Sequence, residues 1–157
     1  MPEAELKKKS PLPEGTISIA VGMGIGAITA YISVILINKT VGDQAYAGFG
    51  AFWSLIFVVG PGLFLPLEQE IARAVSHRLA RKDGSKPFLR LAFTIAMFIA
   101  LSVGAIFAAF SPLFINHVFH HNGQLQIGFI IGIIAFAFLH CSRGIYSGNH
   151  NFNAYGA

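Results

Sequence analysis

The sequence predicts an all-α fold, a multi-pass membrane helical bundle of four transmembrane helices with a cytoplasmic amphipathic extension after the second. Three observations predict it. The chain is 54% hydrophobic and only 11% charged, whereas soluble domains carry about 25% charged residues. Its basic residues lie beside the apolar segments and do not form one soluble face. Four long apolar segments occupy residues 16–37, 45–67, 91–115 and 125–142.

The lengths of these segments fit a bilayer. The first three contain no Asp, Glu, Lys or Arg, and at 1.5 Å per residue each can cross a hydrocarbon core about 30 Å thick. The fourth is the shortest, because it reaches about 18 residues only when His140, Cys141 and Ser142 are included. We therefore expect a transmembrane domain over 16–157, preceded by a flexible cytoplasmic tail over 1–15 that is polar and contains three prolines.

The distribution of basic residues predicts the orientation. Lysines precede the first segment, and a basic stretch from Arg73 to Arg90 separates the second from the third, whereas the two opposite loops share the single Lys39. By the positive-inside rule both termini are cytoplasmic. We expect a location in the plasma membrane, the inner membrane of a bacterium.

The first segment carries small residues at four-residue spacing, Gly22, Gly26 and Ala30, which share one helix face. Small side chains allow another helix to approach closely in lipid. We predict that this face packs against a neighbouring helix.

The second segment contains Gly60, Pro61, Gly62 and Pro66 close to its end. Proline removes a backbone donor and clashes with the preceding turn, so we expect the helix to bend or break here. The four residues are candidate hinge positions, with a static kink as the alternative. Beyond them, the sequence predicts an amphipathic extension whose apolar residues recur every four positions, at Ile71, Val75 and Leu79.

Glu68 and Glu70 follow the second segment, about 34 Å from its start, and are expected at the cytoplasmic surface. Two residues apart on a helix, they point in different directions and do not form an acid and base pair. Glu70 is spaced to meet Arg73. We interpret both as solvated interfacial carboxylates. For His140, we expect a backbone or headgroup partner instead of a role in proton relay.

A histidine cluster lies in the loop before the fourth segment. His117 and His121 would share a face if the loop were helical, a spacing that can bind zinc. The alternatives are a polar loop, which we favour, and a pH sensor.

Residues suited to catalysis are not evident in the sequence. The apolar segments contain no nucleophile beside a base and no carboxylate, so we do not expect an enzyme, a catalytic residue, a metal or a cofactor. The single Cys141 excludes an internal disulfide. The positions of the basic residues argue against nucleic acid as a partner.

Several stretches in order carry a family resemblance. They are a glycine-rich first segment, the loop and segment start "VGDQAYAGFGAFWS", the segment end "GLFLPLEQEIARAVSHRLARKDG", and "SRGIYSGNHNFNAYG" after the fourth segment. Together they resemble the amino-terminal lobe of polysaccharide flippases, in the multidrug, oligosaccharidyl-lipid and polysaccharide exporter superfamily. The resemblance covers about residues 13–157.

The resemblance implies flippase-like export of a lipid-linked oligosaccharide or polysaccharide precursor. Members have about twelve to fourteen helices in two lobes that rock against each other, and the candidate hinge would serve that motion. The chain corresponds to the first four helices, so we expect a fragment or truncated member. The expected partners are the lipid bilayer, a lipid-linked sugar, and the remaining lobe or a partner membrane protein. The alternatives are a small four-helix membrane module that acts through a partner protein, and part of a multidrug exporter.

Overall fold

The computed structural model describes residues 16–156 and shows helices joined by short connections. Four of the helices are long and apolar enough to cross a membrane. The predicted all-α bundle is confirmed, and the chain is a multi-pass membrane protein. The predicted tail over 1–15 lies outside the described residues. In chain order the helices are α1 (Thr16–Thr40), α2 (Asp43–Ala80), α3 (Lys86–Ala109), the short α4 (Ser111–Leu113), a π-helical turn (Phe114–Val118), α5 (Gly123–Gly148) and the short α6 (Phe152–Gly156).

Helix α5 is central and packs against both α2 and α3. Gly132 lies against Ile56, and Gly148, sixteen residues further on, lies against Val75, so α5 runs parallel to α2. The rings of Phe93 and Phe138 lie 4.8 Å apart, centroid to centroid.

The contacts at the other end of α3 establish its direction. There the Gln126 side chain donates to the carbonyl of Phe107, so α3 runs antiparallel to α5. Helices α2 and α5 therefore end, and α3 begins, at the same end of the bundle. We call it the basic end, because the basic residues from Arg73 to Arg90 lie there.

The interface between α2 and α5 matches small residues on one helix with large residues on the other. A Cβ on Gly132 would lie 2.7 Å from Ile56, and one on Gly60 would lie 2.8 Å from the ring of Phe136. In lipid, close packing of this kind stabilises helix association. The residues that α5 contributes to this interface recur at every fourth position, namely Gly128, Gly132, Phe136, His140, Gly144 and Gly148.

The interface between α3 and α5 uses a second stripe of small residues. Its members on α3 are buried and also recur every fourth residue, at Ala92, Ala96, Ala100 and Gly104. A Cβ on Gly104 would lie 3.3 Å from Ile130 of α5. The opposite side of α3 exposes large apolar residues such as Phe98 and Leu101, as expected of a surface that faces acyl chains.

Helix α2 continues through both prolines without a break, over 38 residues. Of the predicted bend or break near Pro61, the break is therefore wrong, and the bend stays a prediction. Close packing on α5 holds the helix on both sides of the prolines, and a proline in a membrane helix can be tolerated where neighbours compensate for its lost hydrogen bond. At 1.5 Å per residue α2 is about 57 Å long, so its last turns extend beyond the hydrocarbon core. This is the predicted amphipathic extension, and its Ile71 and Val75 pack against α5.

The connection between α3 and α5 was predicted as a polar loop, but part of it is helical. Helix α3 ends at Ala109, before Ile115, the predicted end of the third segment. Pro112 follows, and residues 111–118 form the short α4 and the π-helical turn. Phe119 is completely buried and so anchors the connection to the bundle. The amide of the buried Gln126 also accepts a hydrogen bond from the Ser111 hydroxyl at 3.0 Å.

Helix α1 stands at the edge of the bundle. It contacts mainly α6, and none of its residues is buried. Gly22 lines a cavity beside α5 and α6, whereas a Cβ on Gly26 would meet no described atom within 4 Å. Close packing of the face formed by Gly22, Gly26 and Ala30 stays a prediction.

Candidate functional site: a buried polar cluster

Three helices bring polar side chains together near the basic end. Helix α2 contributes Glu68, α5 contributes His140, and α6 contributes Tyr155. Glu68 and His140 are each only 5% exposed. Since buried ionisable groups are costly unless they are paired, the arrangement needs the contacts that follow.

Both oxygens of the Glu68 carboxylate are hydrogen bonded. The Nδ1 atom of His140 lies 2.5 Å from Oε2. The Tyr155 hydroxyl donates to Oε1 at 2.8 Å. An ionised carboxylate accepts both bonds when His140 carries a proton on Nδ1. The carboxylate therefore joins residues that are 72 and 87 positions away in the chain.

Apolar and backbone groups surround the pair. The rings of Phe64 and Phe136 stack on His140, with centroid distances of 6.4 Å and 5.8 Å. Gly144 lets the backbones approach, because a Cβ there would lie 2.8 Å from the Glu68 carbonyl oxygen. These groups limit the access of water, and hydrogen bonds are stronger in such surroundings.

Tyr155 connects the pair to Arg143. The guanidinium carbon of Arg143 lies 4.3 Å from the centre of the Tyr155 ring, a cation–π contact. Burial raises the pKa of Tyr155, and the hydrogen bond to Glu68 raises it further. Tyr155 therefore stays neutral and continues to donate at any pH near neutrality.

The cluster borders a cavity of about 370 Å³ between α1, α5 and α6, whose wall includes Arg143 and Tyr155. Tyr155 lines this cavity, and its hydroxyl donates to Glu68 of the buried pair. This hydrogen bond links the buried pair to the position of α6.

The two glutamates behave differently from each other. Glu70 is exposed and forms the predicted ion pair with Arg73, with an N–O distance of 2.7 Å. The prediction that Glu68 is also solvated is wrong, because Glu68 is buried against α5. Because the two glutamates are two positions apart on an α-helix, their side chains point about 200° away from each other around the helix axis. Only Glu68 therefore faces the bundle. The expected partner of His140 was also wrong, since its partner is a carboxylate.

The candidate hinge residues lie in different surroundings. Gly60 is buried against Phe136, whereas a Cβ on Gly62 would meet no described atom within 4 Å. Pro61 is partly buried and Pro66 is exposed. Gly60 therefore has a packing role, and hinge motion at these four positions stays a prediction.

The histidines of the α3–α5 connection do not share a regular helix face. His117 lies in the π-helical turn, while His120 and His121 have left-handed backbone conformations, with φ of 49° and 64°. The Nδ1 atom of His121 lies 3.2 Å from the side-chain oxygen of Asn116. Over residues 16–156 no three His, Cys, Asp or Glu side chains are grouped closely enough to hold a metal ion.

Sequence reasoning missed Arg143 and Tyr155 as members of the site, as well as the pairing of Glu68 with His140. One signal was present. His140 lies four residues before Gly144 and eight before Gly148, on the same stripe of α5. A polar residue on a stripe of glycines faces another helix, and so needs a polar partner there.

Comparison with known proteins adds no relative. The chain matches no protein-family model, and no significant match is found among curated proteins or solved structures.

Proposed function

We propose that the chain is a membrane transport protein that takes part in flippase-like export of a lipid-linked oligosaccharide or polysaccharide precursor. It would act together with a second lobe or a partner membrane protein, because four helices alone are not expected to enclose a transport path. The order of sequence features that resembles polysaccharide flippases supports this proposal, as does the bundle of four apolar helices. Catalysis is not part of the proposal.

The observation that carries the proposal is the buried cluster of Glu68, His140 and Tyr155. Ionisable residues between membrane helices are costly, and they commonly mark pathways for substrates, ions or protons. A purely structural bundle could pack the same position with apolar residues at a lower cost. A transporter, in contrast, needs a polar contact between helices that can be made and broken.

The proposal includes an orientation. The basic residues that connect α2 and α3 lie at the basic end, and the positive-inside rule assigns that end to the cytoplasm. Both termini would then be cytoplasmic, and the membrane would be the plasma membrane. Over the described residues, the opposite end of the bundle carries Lys39 as its single Lys or Arg.

A second candidate is a small membrane module that acts through a partner protein. The observation that favours it is α1, which has no buried residue and exposes apolar side chains such as Ile25, Ile28 and Tyr31 along its length. Either lipid or another membrane protein can cover such a helix. If this alternative holds, a transport assay should detect no movement of lipid-linked oligosaccharide that depends on the chain.

The test uses inverted membrane vesicles from cells that express the chain, and from cells without its gene. A fluorescent lipid-linked oligosaccharide placed in the outer leaflet, which is the cytoplasmic one, should reach the luminal leaflet faster in the first vesicles. A multidrug substrate and an unrelated phospholipid serve as comparison substrates. Equal rates with and without the gene would contradict the transport proposal, and faster entry of the drug alone would favour the multidrug alternative. The chain reconstituted by itself should give the rate of protein-free liposomes.

A further inference from the structure

The cavity between α1, α5 and α6 has the chemistry of a lipid site. Its volume is about 370 Å³. Apolar side chains from two helices line it, including Ile19 and Met23 of α1 and Leu139 of α5. Met23 and Leu139 are 66% and 47% exposed, so this side of the cavity is open towards the surroundings of the bundle. A mainly apolar cavity of this kind suits a hydrocarbon chain.

One charged group lies in the wall of this cavity. The Nε atom of Arg143 is buried and has no hydrogen-bond partner within the described part of the chain. Stacking on Tyr155 holds the guanidinium in place. The neighbouring carboxylate, Glu68, already accepts hydrogen bonds on both oxygens. A partly buried guanidinium with an unpaired N–H favours an anion that can accept from it, and phosphate fits the guanidinium fork well.

The depth of Arg143 matches a lipid headgroup. Arg143 comes 20 residues after Gly123, the first residue of α5. That is about 30 Å along the helix, the thickness of the hydrocarbon core. With the start of α5 placed at one edge of the hydrocarbon core, the guanidinium lies at the level of the phosphates of the opposite leaflet, and Leu139 lies one turn nearer the membrane centre.

We propose that this cavity binds an anionic membrane phospholipid, with Arg143 on its phosphate and an acyl chain along Ile19, Met23 and Leu139. This lipid would be a bound component of the protein and not the transported molecule, so the proposal does not depend on the proposed function. An anionic lipid is preferred over a zwitterionic one. The zwitterionic headgroup also carries a positive ammonium group, which would lie near the positive charge of Arg143 with no free carboxylate there to pair with it.

The test is native mass spectrometry of the delipidated full chain, titrated with phosphatidylglycerol, phosphatidylcholine or inorganic phosphate. We expect one phosphatidylglycerol per chain, bound about fivefold or more tightly than phosphatidylcholine. Arg143→Gln should weaken phosphatidylglycerol binding about tenfold. Arg81→Gln, an exposed basic residue that does not line the cavity, should change it less than twofold.

A second variant tests the cavity without altering the charge. Gly22→Leu places a side chain in the cavity wall and should also weaken binding of phosphatidylglycerol, which decides the question if Arg143→Gln does not fold. Equal losses in Arg143→Gln and Arg81→Gln would overturn the proposal in favour of general surface attraction. Equal affinity for the two lipids, or displacement of phosphatidylglycerol by millimolar inorganic phosphate, would overturn it as well. Unchanged binding in a folded Gly22→Leu variant would remove the cavity as the site.

Discussion

The pairing of Glu68 with His140 makes a quantitative prediction for stability. In His140→Ala the carboxylate keeps the hydrogen bond from Tyr155 but loses its contact with Nδ1. The carboxylate then remains buried with one oxygen unpaired, at a site where Glu68 is 5% exposed. Removing one member of a buried ion pair typically costs about 3–5 kcal/mol. We expect a destabilisation in that range.

Unfolding by sodium dodecyl sulfate in mixed micelles, followed by circular dichroism, measures this free energy. The double variant Glu68→Ala/His140→Ala should lose less than the sum of the two single variants, because neither group is then left alone. The matched control is Glu70→Ala, which removes the exposed pair with Arg73 and should leave the unfolding free energy unchanged within error. A loss below about 1 kcal/mol in His140→Ala, or additivity in the double variant, would refute the buried pair.

Three further predictions concern packing, ionisation and orientation. Gly148→Leu should destabilise the bundle by at least 1–3 kcal/mol, because even a Cβ there would lie 2.6 Å from Val75, whereas Gly62→Ala meets open space and should cause no loss in the same titration. Burial and the hydrogen bond to Glu68 raise the pKa of Tyr155, so the neutral phenol contributes stability that is present below about pH 10 and is lost as pH rises through the raised pKa. The difference in unfolding free energy between the parent and Tyr155→Phe should therefore shrink over that pH range. A difference that stays constant would contradict the prediction. In a Cys141→Ser background, Asp83→Cys should react with an impermeant maleimide only when the cytoplasmic side is open, and Asp43→Cys only from the other side; labelling of Asp83→Cys from outside intact cells would reverse the proposed orientation.

The helices could be predicted from sequence because their signal is local. A stretch of about 20 apolar residues without charged side chains predicts a membrane-spanning helix, and three of the four segments met that criterion on their own. The fourth segment was predicted too short, since His140 and Arg143 interrupt its apolar run. In the structure these residues are helical up to Gly148, where Glu68 of α2 contacts His140 and Tyr155 of α6 stacks on Arg143.

The packing faces were harder to predict, because a stripe of small residues does not identify its partner. Gly22, Gly26 and Ala30 formed the most evident stripe, yet Gly26 meets no described neighbour. The stripes at the main interfaces lie on α3 and α5 and have the same four-residue spacing. On α5 that stripe is interrupted by Phe136 and His140, whose fit depends on Gly60 and Glu68 of another helix.

The site itself could not be predicted, because its members come from three helices. Glu68 was placed at the correct distance along α2, but its direction around the helix depends on where α5 lies. Tyr155 is in a helix of five residues, and its hydroxyl reaches Glu68 only after the chain has passed through two further spans. No pattern within a short window of sequence contains that information.

The most direct test of the account is transport in membrane vesicles that carry Glu68→Gln, compared with vesicles that carry Glu70→Gln at the same level of expression. Both changes remove one carboxylate from α2, two residues apart, but only Glu68 contacts His140 and Tyr155. We predict that Glu68→Gln lowers the rate at which the lipid-linked oligosaccharide reaches the luminal leaflet about tenfold or more, the effect of losing a carboxylate from a buried contact. Glu70→Gln should keep the parental rate. Equal rates for the two variants would contradict the assignment of the buried cluster as the functional site.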